Sequence, residues 1–128
     1  MIILKEIDLR TATVKLRDDG IMQYNVKPVE EFGVNDLKEI NEAVGKLGDG
    51  KKFPNLVCVN HFLNVDAEVR KYAATEESNR YTIADAFVIN STALKLIGNF
   101  YIRFDKPVRP TRIFNSDIEA IPWLKTFL

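Results

Sequence analysis

The chain has 128 residues, the length of one ordinary domain, which excludes most multi-domain enzymes. Hydrophobic residues make up 46% of it and charged residues 28%, a globular composition that excludes a disordered tail, a collagen or a low-complexity array. The 18 Lys and Arg residues balance the 18 Asp and Glu residues, so no net charge draws the chain to nucleic acid, and no nucleic-acid motif is present.

The first 50 residues predict a β-hairpin followed by a helix. Apolar and polar residues alternate over 12–16 and again over 22–26, and Gly20 between them supplies the positive φ that a tight turn with a bulge requires. From Asn35, the predicted N-cap, apolar residues recur at helical spacing until Gly48, which is expected to end the helix.

In the rest of the chain, buried strands alternate with helices. The predicted elements are a strand over 56–59, a helix capped by Asp66, a strand over 84–89, a helix over 91–104, a strand over 111–114 and a last helix capped by Ser116. Ser91 or Thr92 is expected to cap the helix over 91–104. Pro122 predicts a kink in the last helix or a late start of it, because proline removes one helical hydrogen bond.

The element order is therefore ββαβαβαβα, and it defines the fold class. Helices between buried strands act as crossover connections, so the prediction is an α/β fold with a single mixed, mostly parallel sheet. The opening hairpin contributes at least one antiparallel strand. Without a linker or an internal repeat, residues 1–128 are expected to form one domain.

Five segments of the second half carry a resemblance to a known family. They are DAEVRKYA at 66–73, AFVI at 86–89, LKLIGNFY at 94–101, KPxxPTxxF at 106–114 and AxxWL at 120–124. With the element order, they resemble the STAS-like (SpoIIAA-like) fold of anti-sigma-factor antagonists, and in particular a group of short bacterial proteins of that type. The resemblance covers nearly the whole chain and implies a regulatory role through contact with other proteins.

The chain departs from that family at the usual phosphorylation site. In anti-sigma-factor antagonists a phosphorylatable Ser or Thr begins the helix after the third strand, and its charge state decides whether a kinase partner binds. The matching stretch, 60–67, contains neither residue type. Asp66 supplies a fixed negative charge there, which fits either a permanently phosphate-like site or an ordinary helix N-cap. We therefore expect no Ser/Thr phosphoswitch at this place.

No motif for catalysis, a metal or a cofactor is present. Nucleotide-binding glycine loops, a nucleophile elbow and a zinc-binding His-Glu-x-x-His are all missing. His61 is the single histidine, and Cys58, three residues before it on a predicted strand, lies on the opposite face, so the two are not expected to act together. The chain is thus expected not to be an enzyme; a concave site with converging polar groups and shifted pKa values would argue otherwise.

The leading functional hypothesis is a non-catalytic regulatory or protein-interaction domain. The contact surface is expected on the face around 60–70 and at the start of the helix at Ser91. Within it, His61 follows a predicted strand, where parallel α/β sheets place their ligands, and it is either a hydrogen-bonding contact or an ordinary loop residue. The candidate partner-binding residues are Asn60, His61, Asp66, Arg70 and Ser91.

An alternative hypothesis is a carrier or sensor of a small apolar or lipid-like molecule. The predicted helix over 91–104 has an apolar arc wider than one contact with a sheet requires. The arc is either covered by neighbouring elements or it faces a ligand or a second subunit, as in a homodimer. The predicted ligand pocket is lined by Phe87, Ile97, Phe100 and Tyr101, and the hypothesis fails if those side chains pack without a cavity.

The sequence also predicts a cytoplasmic location. The first residues reach Lys5 and Glu6 before an apolar segment of signal-peptide length can form, and no apolar stretch is long enough to span a bilayer. Cys58 is the single cysteine, so the chain can form no internal disulfide, as is usual in a reducing compartment.

Overall fold

The computed structural model describes all 128 residues as one sheet with four helices. The strands are β1 (Ile3–Asp8), β2 (Ala12–Arg17), β3 (Met22–Val26), β4 (Phe53–Val59), β5 (Thr82–Ile89) and β6 (Thr111–Phe114). The helices are α1 (Val34–Leu47), α2 (Ala67–Ala73), α3 (Thr92–Phe100) and α4 (Asp117–Lys125). The predicted α/β class is confirmed.

The six strands lie in the sheet in the order in which they occur in the chain. The pairs β1–β2 and β2–β3 are antiparallel, and the pairs from β3 to β6 are parallel. The order is thus βββαβαβαβα, with one strand more than the sequence predicted. That strand, β1, lies at one edge of the sheet. It is mostly exposed and has a register irregularity between Ile3 and Lys5, so its residues lack the clear alternation of a half-buried strand.

Each face of the sheet has its own hydrophobic core. On one face, which we call the inner face, α1 and α3 pack on side chains such as Val14, Val57 and Ile89. On the outer face, α4 alone packs on β4 and β5, with Leu124 fully buried against Leu56 and Val88. The helices that precede β6 therefore lie over the inner face, where the candidate site is found.

The helix ends mostly follow the predicted capping residues. The hydroxyls or carboxylates of Asp66, Ser91 and Ser116 accept hydrogen bonds from backbone N–H groups in the first turns of α2, α3 and α4. The predicted Asn35 N-cap of α1 is wrong: Gly33 is the N-cap, and Asp36 Oδ2 accepts a hydrogen bond of 2.8 Å from its backbone N–H.

Several other boundaries differ from the prediction. The strands predicted over 56–59 and 84–89 begin earlier, at Phe53 and Thr82. The helix over 91–104 is α-helical to Phe100 and continues as a π-helical turn, Tyr101–Asp105, which ends at Lys106 with a left-handed φ of 52°. Of the two alternatives at Pro122, a kink or a late start, the late start is excluded, because α4 begins directly after its predicted Ser116 cap and contains Pro122. None of the four helices is long and apolar enough to cross a membrane.

Candidate functional site: a cavity under the helices

A cavity of about 170 Å³ lies between the inner face of the sheet and the helices α1, α2 and α3. Its walls are mainly apolar side chains from strands β3 to β5 and from all three helices. They include Val26, Val57, Val59, Phe87 and Ile89 of the sheet, Ile40, Val69, Leu94 and Ile97 of the helices, and Leu63 and Val65 of the loop before α2. An apolar cavity of roughly 150 Å³ is large enough to take up benzene, so this cavity suits a ring-sized molecule.

The local sequence explains how α3 closes one side of the cavity. Val57 and Phe87 are direct neighbours in the parallel register of β4 and β5, and both point to the inner face. Gly98 lets α3 approach β6 closely, since a Cβ atom added there would lie 2.6 Å from Ile113 Cδ1. The helix therefore lies low over the sheet, and Ile97 forms part of the wall.

One end of the cavity is polar. Asn55 and Asp85 are paired neighbours on β4 and β5, two residues before Val57 and Phe87, so they form the next layer towards the amino ends of these strands. Asn55 Nδ2 donates one hydrogen bond to Asp85 Oδ1 and one to Thr82 Oγ1, each 2.9 Å long. Asn55 Oδ1 is buried and has no hydrogen-bond partner.

Burial changes the ionisation of Asp85. Its side chain is removed from water and has no ion-pair partner, so desolvation raises its pKa to about 6; the hydrogen bond from Asn55 and the more distant charge of Arg109 oppose this rise. Arg109 is engaged elsewhere, donating from Nε to the Thr82 carbonyl at 2.9 Å and pairing with Glu76. Asp85 is thus a carboxyl group that is partly protonated in mildly acidic solution.

Two tyrosines complete the polar end. Tyr24 of β3 and Tyr101 of the π-helical turn both line the cavity and are almost fully buried. Desolvation, together with the negative charge of Asp85, raises the pKa of both phenols well above the usual value. Both hydroxyls are therefore neutral at physiological pH and can donate or accept a hydrogen bond.

Arg70 links the cavity wall to the π-helical turn. Its Nε donates to Asp105 Oδ2 at 3.1 Å, its Nη1 donates to the Val65 carbonyl at 2.9 Å, and its guanidinium lies 5.0 Å from the centre of the Phe100 ring. The Asp105 side chain is only 8% exposed, so this ion pair is largely shielded from water. Arg70 therefore fixes α2 against the end of α3.

Three of the four residues predicted to line a ligand pocket do line the cavity. Phe87, Ile97 and Tyr101 belong to its wall, and the rings of Phe87 and Tyr101 meet edge to face with their centres 6.3 Å apart. Phe100 does not belong to it. Its side chain is 45% exposed and packs on Phe104, because it lies on the outward side of α3.

Three of the five residues predicted to bind a partner have structural roles within the chain. Asp66 and Ser91 cap helices, and Arg70 is held in its ion pair. Asn60 is exposed directly after β4. His61 is half-buried, and its Nε2 has no hydrogen-bond partner. The polar groups that converge in the structure lie instead near the amino ends of the parallel strands, opposite to the end that the usual rule for α/β sheets indicates.

Sequence reasoning missed Tyr24, Asn55 and Asp85. A signal was present, since Asn55 directly precedes the strand predicted over 56–59 and Asp85 lies inside the strand predicted over 84–89, and both strands were expected to be buried. Polar groups are costly in such a position unless they are hydrogen-bonded, so each indicates a partner on a neighbouring strand. Which strand supplies the partner depends on the sheet register.

Residues 14–128 match a protein family described as a domain of unknown function, DUF7793. The chain belongs to this family. Neither a curated protein nor a solved structure matches it. The part that matches DUF7793 contains every residue that lines the cavity.

Proposed function

We propose that the protein is a non-catalytic cytoplasmic domain that binds a small, largely apolar molecule, as a carrier or a sensor. The observation that carries the proposal is the cavity of about 170 Å³ under α1, α2 and α3. The space is concave, mainly apolar and accessible from the surface, with a few polar groups at one end, and small-molecule sites are usually of this kind.

The composition of the cavity favours binding over catalysis. Asp85 meets one criterion for an active site, a buried acid with a raised pKa near 6. However, no His, Cys, Lys or Glu side chain lines the same space, and Arg70 at its wall is paired with Asp105. A single carboxyl group with two neutral phenols supports the orientation of a ligand by hydrogen bonds.

A STAS-like fold is the second part of the proposal. It is supported by the mixed sheet with a parallel half, by the helices after β3, β4, β5 and β6, and by the Asp66 cap at the start of α2. In this proposal, ligand occupancy replaces the phosphoserine of the anti-sigma-factor antagonists as the regulatory input. Asp66 then serves as a helix cap.

The test uses toluene as the probe and a variant in which the cavity is filled. Isothermal titration with toluene is expected to give saturable one-to-one binding to the wild-type protein. Val57→Phe adds a ring inside the cavity and is expected to weaken toluene binding at least tenfold. Val108→Phe makes the same change at a residue that is 43% exposed and lies outside the cavity, so it serves as the control.

Binding that is equal in wild type and both variants, or that is absent from all three, would refute the proposal. Circular dichroism and thermal unfolding of each variant establish that it is folded. Native mass spectrometry of protein purified from its own source adds a second readout, because a natural ligand retained in the cavity is expected to appear as excess mass.

A second candidate function is contact with another protein, including a second copy of this chain. One observation favours it: Leu96, Phe100 and Phe104 recur every four residues on α3 and the π-helical turn, and they are 67%, 45% and 61% exposed. Such a strip of apolar side chains is typical of an interaction surface. Leu96→Glu is expected to abolish a homodimer in light scattering; a wild-type protein that is monomeric at all concentrations would contradict self-association.

A further inference from the structure

Two acceptor oxygens at the polar end of the cavity, Asn55 Oδ1 and Asp85 Oδ2, receive no hydrogen bond from the protein. Asn55 has committed both protons of its amide nitrogen, to Asp85 Oδ1 and to Thr82 Oγ1, so it has no donor left. Its own Oδ1 accepts no hydrogen bond. The bond from Asn55 is the only hydrogen bond made by the Asp85 carboxyl group, which leaves Oδ2 without a protein partner.

Asp85 is also a charged group without compensation. Its residue is 9% exposed, and no Lys or Arg pairs with it. The cation that acts on it, Arg109, donates its hydrogen bonds to Thr82, Glu76 and Asn79. A largely buried carboxylate with one hydrogen-bond donor and no ion pair is costly, and a second donor supplied from outside the chain reduces that cost.

We infer that the ligand of this cavity is a ring-sized apolar molecule whose polar end is a hydrogen-bond donor, a hydroxyl or an N–H group, which donates to Asp85 Oδ2. This inference rests on the proposed function and adds the chemistry of the ligand. A ligand carboxylate is disfavoured, because it would bring a second negative charge next to Asp85. A ligand with only acceptor groups leaves Asp85 Oδ2 unpaired.

The two tyrosines allow a ligand hydroxyl to accept a hydrogen bond as well as donate one. Each phenol is buried, neutral and without a protein hydrogen-bond partner, so it can donate to the oxygen of a ligand hydroxyl while that hydroxyl donates to Asp85. The apolar ring of the ligand would then lie against Val57, Phe87 and Ile97.

The experiment compares three probes of similar size in isothermal titrations at pH 7.5. Phenol carries a donor, benzonitrile carries only an acceptor, and toluene carries neither. We expect phenol to bind about tenfold more tightly than toluene, because a hydrogen bond to a charged group has a net value that corresponds to roughly this factor. Benzonitrile is expected to bind more weakly than phenol.

Asp85→Asn tests the assignment to this carboxyl group. The amide oxygen of the new side chain can still accept from Asn55, so the fold is retained, but its NH₂ group then faces the ligand as a donor. We expect the preference for phenol over benzonitrile to fall at least fivefold. Asp49→Asn, the same change in an exposed residue at a left-handed turn, is expected to leave all three affinities unchanged.

The outcomes separate the inference from the proposed function. Toluene and phenol that bind equally well would overturn the inference while leaving a ligand-binding cavity in place. A preference for phenol that survives Asp85→Asn would also overturn it. Failure of all three probes to bind wild-type protein would overturn the proposed function, and the inference with it. The comparison of probes in wild-type protein does not depend on any variant.

Discussion

Replacing Asp85 by Asn is expected to remove a pH dependence of stability that this carboxyl group creates. In the folded protein, desolvation raises its pKa to about 6 from an ordinary value of 3.8. The folded state therefore holds this proton up to a higher pH than the unfolded chain does. The stabilisation that the Asp85 carboxyl group contributes is fully present below its unfolded-state pKa of 3.8 and is lost as the pH rises through its folded-state pKa near 6. The difference between the two pKa values corresponds to about 3 kcal/mol.

The assay is urea unfolding at pH values from 4 to 8, followed by circular dichroism. Wild-type protein is expected to lose about 2.5 kcal/mol more over this range than Asp85→Asn, in which residue 85 no longer titrates, because a small part of the effect is already lost at pH 4. Asp8, Asp19 and Asp36 have lowered pKa values, so their contributions are lost as the pH falls and are common to both proteins. Parallel stability curves for the two proteins between pH 4 and 8 would show that the pKa of Asp85 is not raised in the folded protein.

Three further substitutions test the packing that builds the site. Gly45→Ala is expected to destabilise the protein by about 1 to 3 kcal/mol, because the new Cβ would lie 2.7 Å from the Tyr81 ring and this clash outweighs the better helix propensity of Ala. A higher melting temperature for the variant would contradict the clash. Leu124→Ala is expected to cost about 2 to 5 kcal/mol, since this fully buried side chain joins α4 to the outer face; a loss below 1 kcal/mol in urea unfolding would contradict this role. Arg70→Ala is expected to cost about 3 to 5 kcal/mol, because it leaves the buried Asp105 carboxylate unpaired. Adding Asp105→Asn to this variant is expected to recover part of the loss. An unchanged melting temperature for Arg70→Ala alone would show that the ion pair does not stabilise the fold.

The sequence predicted the elements whose pattern is local. The alternation in β2 and β3, the turn at Gly20 with its φ of 85°, and the caps Asp66 and Ser91 all follow from neighbouring residues and are found in the structure. The edge strand β1 was missed because it is mostly exposed, so it carries little periodicity. The Asn35 cap failed because Asp36 bonds back to Gly33 and starts the helix earlier.

The candidate site could be predicted only in part, because a cavity depends on how far the helices lie from the sheet. The wide apolar arc of the helix over 91–104 predicted a pocket beside that helix, and Phe87, Ile97 and Tyr101 do line one cavity. The polar end could not be placed, since the pairing of Asn55 with Asp85 depends on the register of β4 and β5. Phe100 was assigned to the pocket because an apolar arc does not show which of its edges turns outward.

Binding of a ligand in the cavity is tested most directly by a nuclear Overhauser spectrum of the methyl-labelled protein with toluene. Contacts are expected between toluene protons and the methyl groups of Leu94 and Ile97, which line the cavity, and none with Leu124 and Val88 on the outer face. Contacts confined to the exposed methyl groups of Leu96, or no contacts at toluene saturation, would contradict the account.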